Sequence, residues 1–298
     1  MASACSPPTE EFSSDDADNA VIEAPDVRLD TIRVPRRSFT EEKATAGNIS
    51  FTADVALKPL VDALVESFMA GHDRATLNPI YLPAEEAIAT MLASDTIRLA
   101  IAPRKLTLEE EAILNRQKVI PDYAVSARDA VVLIVHPEYP DTTLGESQLK
   151  EMLTGNITRW PQINPNSPLK DVTLVLDHQQ SGARRFLQDS LLDGKNLQSE
   201  RLFALQSSEE VVQYVATHKD AVVILGWAQL ADKDDPRVKN LKSKIKIVFV
   251  DGMRSPDLCP YKPDYFGPVQ SFLTTQCCLL GRGVYTIRRE VSFGLGTG

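Results

Sequence analysis

A chain of 298 residues with 43% apolar and 24% charged side chains can fill the cores of two lobes of about 100–150 residues each, and its composition is not that of a disordered, collagen-like or disulfide-stapled protein. Of its net charge of −9, most lies in the first 30 residues, where eight acids between Glu10 and Asp30 face only Arg28. The remaining body is nearly neutral and has no basic block interleaved with aromatics, which excludes a nucleic-acid-binding face.

In chain order, residues 1–46 read as an acidic, Ser-rich, aromatic-poor tether. From about Gly47, short β-rich runs alternate with stretches of helical period, the pattern of an α/β fold with mostly parallel sheets and crossover helices. Strands are expected at Ile49–Thr52, Asn78–Leu82, Ile97–Ala102, Ala130–Val135, Val172–Leu176, Ala221–Leu225 and Ile245–Val250. Helices are expected from Leu57 to Phe68, from Ala84 to Leu92, and over 107–117, 146–154, 183–192 and 208–217. The rhythm divides the body into a first lobe beginning at 47–130, a second lobe at 131–250 and a return over 251–298, where Pro256, Pro260, Pro263 and Pro268 break the pattern. No apolar run reaches the 18 residues of a membrane-spanning helix.

Motifs for catalysis are missing. No GxxxxGK[ST], GxSxG or HExxH is present, and Gly294 to Gly298 lacks the spacing of a dinucleotide loop. Ser147 and Lys150 form an SxxK without its companion motifs, and Ser147 reads as a helix-start residue. His72, His136, His178 and His218 are scattered, and Cys5, Cys259, Cys277 and Cys278 include no CxxC, so neither an enzyme, a metal nor a cofactor is expected.

Chemistry suited to an anion is present at three strand ends. Ser181-Gly182-Ala183 follows a β-run and opens a helix, whose first N–H groups lack intrahelical partners and carry the positive end of the dipole. Ser181 can cap that helix or donate to an anion, and Arg184 or Arg185 can add a forked cation. Thr52, Ala53 and Asp54 close the first strand before another helix start, and Arg104 ends the strand running through Ala100. Open α/β sheets place their ligands at such carboxyl ends.

Two resemblances follow from these residues. The stretch Ala2-Ser-Ala-Cys5 before an acidic tether is similar to the cleavage box of bacterial lipoproteins, which implies lipidation at Cys5, an extracytoplasmic location in periplasm or cell envelope and membrane contact only through that lipid. The body resembles the phosphate-binding subunit of bacterial ABC transporters, among the two-lobed type II periplasmic binding proteins. The resemblance is carried by Thr52 to Val55, Ile97 to Leu106, Arg128 to Val135, Leu149 to Trp160 and Ser181 to Ala183.

It implies a monomer that binds inorganic phosphate or a related oxyanion between its lobes and presents it to a permease. The implied ligands are Thr52, Ala53, Asp54, Ser181, Gly182 and Ala183. Ala183 stands where the family commonly has threonine and Asp177 where it has arginine, so a guanidinium from Arg104, Arg184 or Arg185 would supply the charge, Arg185 first among them. Asp54 would accept the proton that monohydrogen phosphate carries and sulfate lacks. The lobes would close about crossings near Asp129–Val131 and Asp251. Residues 293–298 resemble the approach to a further helix and strand of the first lobe. The same departures support a second expectation, an envelope interaction or adhesion lipoprotein that keeps the scaffold without tight ligand binding.

Overall fold

The computed structural model describes residues 45–251, 273 and 278–289. The tether with Cys5, most of the Pro-rich return and residues 293–298 lie outside the described residues. The first half of the fold comprises β1 (Ala46–Asp54), α1 (Lys58–Gly71), β2 (Arg74–Leu82), α2 (Ala84–Ala93), β3 (Leu99–Ala102) and α3 (Leu108–Arg116). β4 (Asp122–Val135) leads into the second half: β5 (Thr143–Leu144), α4 (Glu146–Leu153), β6 (Thr173–Leu176), α5 (Gly182–Leu191), β7 (Leu202–Ala204) and α6 (Ser208–Thr217). β8 (Ala221–Gly226), α7 (Ala228–Ala231), α8 (Pro236–Lys242) and β9 (Lys246–Val250) follow, and β10 (Gly281–Arg288) returns to the first half.

The strands run β2-β1-β3-β10-β4-β8-β6-β7, with β9 paired to β4 and β5. β1 is parallel to β2 and β3, and β6 is parallel to β7 and β8, as crossover helices require. β4 holds the two halves together. Its residues up to Ala130 pair with β10, and from Val131 onward they pair with β8 and β9, all antiparallel.

Burial follows that change of partner. Asp122–Arg128 is partly exposed, while Asp129–Val135 is buried throughout, as is β8. Strands covered on both faces read as unbroken apolar runs. On β4, Val131, Leu133 and Val135 face one core with Leu149, Leu174 and Leu187, whereas Val132 and Ile134 face a second with Val175, Val211 and Val223. The first half has its own pair of cores, one around Ile88, Met91, Ala100 and Ile287, the other around Phe51, Ala53, Leu57 and Val284. Each fully buried Leu or Ile contributes about 1.5–3 kcal/mol, so these four clusters carry most of the stability.

The expected strands and helices are present with shifts of a few residues at their ends, except that the strand expected from Ala130 begins at Asp122, eight residues earlier. β10 is not expected from the sequence, because a bulge between Val284 and Tyr285 breaks its alternation. A Cβ on Gly283 would lie 2.8 Å from the Tyr285 ring, so glycine there lets the aromatic fold back over the strand. Among the described residues no helix is long and apolar enough to cross a membrane.

Candidate functional site

Between the halves, the ends of β1 and β8, the middle of β4 and the start of β10 meet the amino terminus of α5. Asp54 ends β1 as the N-cap of a short 3-10 turn over Val55–Leu57, its Oδ1 accepting from the Ala56 N–H at 3.0 Å. Ser181 caps α5, its Oγ accepting from the N–H groups of Ala183 at 3.0 Å and Arg184 at 3.4 Å. The N–H of Gly182 has no partner among the described residues. That helix start lies against the first half: a Cβ on Gly182 would sit 2.6 Å from Pro103 Cγ and 2.8 Å from Asp54 Oδ2.

Beside this contact lies a buried ion pair. Arg282 Nε and Nη2 both donate to Asp129 Oδ2, at 2.9 and 2.7 Å, with the side chains 1% and 2% exposed. Asp129 Oδ1 accepts from the Ala228 N–H at 2.9 Å, which ties the pair to α7. Gly226 leaves room for it, since a Cβ there would be 2.8 Å from Arg282 Nη2. Asp54 and Asp177 complete the cluster, both buried.

Three polar atoms of this cluster are buried without a hydrogen bond: Asp54 Oδ2, Asp177 Oδ1 and Arg282 Nη1. Orphaned buried groups of this kind cost about 1–3 kcal/mol each unless a ligand or water meets them. Burial pushes the Asp54 carboxyl up to about 7, against the pull of Arg282 and the Ala56 N–H, and the charges of Asp177 and Asp129 add to the rise. Burial also raises Asp177, opposed by the Ser181 hydroxyl and by Arg282. With Oδ1 of Asp54 engaged as an acceptor, its proton belongs on Oδ2 below about pH 7.

Two hollows open on either side. One, of about 300 Å³, is lined by Arg104 and Lys105 after β3, Arg128 of β4, Arg282 of β10, and Gly182, Arg185 and Asp189 of α5. The other, of about 280 Å³, includes Asp177 and carries Lys58 paired with Asp62 and Arg237 paired with Glu209. Five cations line the first hollow; Arg104, Arg185 and Arg282 are paired with carboxylates, and the surplus charge of Lys105 and Arg128 makes it the anion-accepting side. Among the described residues no group of three His, Cys, Asp or Glu side chains is placed to hold a metal ion.

The anticipated ligands divide. Asp54, Ser181 and Gly182 meet at the interface, and Arg104 and Arg185 line the basic hollow. Arg185 Nε donates to Asp189 at 2.8 Å, and Arg104 is clamped by Glu110 at 2.7 Å and Glu85 at 2.8 Å. Burial works against the charge of Arg104, and its bonds to Glu110 and Glu85 outweigh it. The others are elsewhere. The Thr52 hydroxyl donates to the Ala87 carbonyl at 2.8 Å, and Ala53 packs in the core beneath α1. Ala183 is also in a core, and Arg184 turns back to donate to the Gln179 carbonyl at 3.1 Å.

Arg282 and Asp129 escape sequence reading. The signals that mark them are weak: an arginine between Gly281 and Gly283 in an apolar strand, and an aspartate opening the all-apolar run of β4.

A family model described as the PBP superfamily domain matches residues 39–259. The phosphate-binding protein PstS of Staphylococcus epidermidis is 20% identical over 203 residues, covering 68% of this chain and 61% of the relative. The chain therefore spans about three fifths of the length of the curated relatives it matches. Among solved structures, an ABC-type phosphate transport receptor from Vibrio cholerae aligns with a TM-score of 0.60 at 16% identity, covering 82% of this chain and 88% of that one. A phosphate-binding protein from Stenotrophomonas maltophilia aligns at 0.57 and 13% identity, covering 82% and 79%. These likenesses show a shared fold.

Proposed function

The chain belongs to the PBP superfamily, and on that footing we propose that it captures inorganic phosphate, or a similar tetrahedral oxyanion, between its lobes and delivers it to an ABC transporter permease. The observation that carries this reading is the pair of orphaned polar atoms, Asp54 Oδ2 against Gly182 and Arg282 Nη1, at a hollow lined by five cations. The names of the relatives support phosphate in particular. The lobes divide at β4, as 47–130 and 131–250, with the return from 251 belonging to the first. The function is binding and release with no chemical step, in a monomer of the periplasm or cell envelope anchored to a bacterial membrane by a lipid on Cys5.

The mechanism follows from the donors. The Gly182 N–H, the Arg282 guanidinium and Arg185 give charge-assisted hydrogen bonds of about 1.5–3 kcal/mol each. Several of these hold the anion at micromolar concentration or tighter after ordering costs. Asp54 meets the ligand through Oδ2, donating a hydrogen bond when neutral and accepting one from the P–OH of monohydrogen phosphate when ionised.

A calorimetric titration of the full chain against phosphate, with sulfate and buffer as controls, tests the reading. Phosphate at a hundredfold excess over its dissociation constant should raise the melting temperature by about 5–10 °C. Arg185→Ala should weaken phosphate binding tenfold or more, and unchanged affinity removes Arg185 from the site. The tight approach of Gly182 to Pro103 and Asp54 favours a second reading, a closed interaction scaffold without a ligand. A melting temperature indifferent to saturating phosphate would establish that alternative.

A further inference from the structure

We propose that the basic hollow takes a ligand with two anionic groups, one of them phosphate, and that Lys105 and Arg128 receive the second group. The proposal deepens the oxyanion reading and rests on it. Size gives the first argument. The hollow measures about 300 Å³, room for about ten waters at roughly 30 Å³ each. Orthophosphate, with five heavy atoms, leaves about half of that space to solvent.

Charge gives the second. Arg104 is neutralised by Glu85 and Glu110, Arg185 by Asp189 and Arg282 by Asp129. The Lys105 ammonium and the Arg128 guanidinium line the same hollow and have no carboxylate partner among the described residues. Lys105 is already held in place, its Nζ 5.2 Å from the Tyr123 ring centre and 5.7 Å from that of Tyr285.

Two further donors on the lining arginines are unused. Arg282 Nη1 and Arg104 Nε are buried without a partner, and Arg282 is almost wholly enclosed. The lining therefore offers Lys105, after β3, and the exposed Arg128 of β4 in addition to Arg282, Arg185 and the Gly182 N–H. A single phosphate on Arg282, Arg185 and the Gly182 N–H leaves Lys105 and Arg128 unpaired. A diphosphate, or a phosphorylated carboxylic acid, bridges both sets.

Inorganic pyrophosphate is the smallest probe of the class. Titrated into the full chain beside orthophosphate at equal ionic strength, it should bind at least tenfold more tightly. Arg128→Ala and Lys105→Ala should each lower the ratio of pyrophosphate to orthophosphate affinity at least threefold, with the melting temperature of each variant confirming its fold. If orthophosphate binds but pyrophosphate is no tighter, or both variants leave the ratio unchanged, the second subsite is overturned and the oxyanion reading stands. If neither anion binds, both fall together.

Discussion

Asp54 concentrates the electrostatics of the interface in one side chain. Its Oδ1 is fixed by the Ala56 N–H, its Oδ2 is an orphan, and burial holds its carboxyl near 7. Below that pH the neutral acid donates through Oδ2, so phosphate and sulfate are both acceptable. Above it the carboxylate can only accept, and sulfate brings no proton to fill the gap. The phosphate-to-sulfate affinity ratio should thus rise at least tenfold between about pH 5.5 and about pH 8.5, while Asp54→Asn flattens it by leaving a side chain that does not titrate. Competition titrations across that range test the idea, and a flat wild-type ratio would remove Asp54 as the discriminator. Stability obeys the same titration. A carboxyl whose folded pKa lies above its unfolded value of 3.8 stabilises fully below about pH 4 and loses that contribution as pH rises through about 7. The loss is on the order of 4 kcal/mol, and Asp177, also raised by burial, adds in the same direction. The ligand-free melting temperature should fall across this window in the wild type and less in Asp54→Asn.

At the level of elements, the start of α5 decides how closely the halves approach. Gly182 has no spare room, with Pro103 Cγ at 2.6 Å and Asp54 Oδ2 at 2.8 Å from a virtual Cβ. Gly182→Ala should therefore force the helix start away from β1, costing about 1–3 kcal/mol as overpacking does and weakening oxyanion binding tenfold or more. A variant that binds and melts like its parent would show that the contact is dispensable. This element was legible in sequence because Ser-Gly after the apolar run Thr173–Leu176 is a local signal, as are the unbroken runs that become β4 and β8. Arg282 was not legible, since a charged residue is tolerated in a buried strand only by its pairing with Asp129, 153 positions away. Thr52 shows the converse. Its position at the end of the first strand is readable, but the direction of its hydroxyl depends on Ala87, placed there by the packing of α2 on β1.

Across the whole molecule, closure rests on contacts that no single half contains. β4 is continuous through both, so rotation about Ala130 and Val131 can part the halves without breaking either sheet. What holds them together in this arrangement includes Gln229, which follows β8 and whose Nε2 donates to the carbonyls of Ala56 at 2.6 Å and Val55 at 3.2 Å. Those carbonyls belong to the turn capped by Asp54, so the same bond that joins the halves also fixes the carboxyl that meets the ligand. Gln229→Ala removes two hydrogen bonds, each contributing about 0.5–1.5 kcal/mol, and only the closed form loses them. The apparent phosphate affinity should drop about tenfold, because the binding-competent fraction shrinks. The ligand-free variant should also show a larger radius of gyration by solution scattering, restored by saturating phosphate. Equal affinity together with an unchanged scattering curve would assign closure to the Ala228 N–H bond to Asp129 and the Gly182 contact instead.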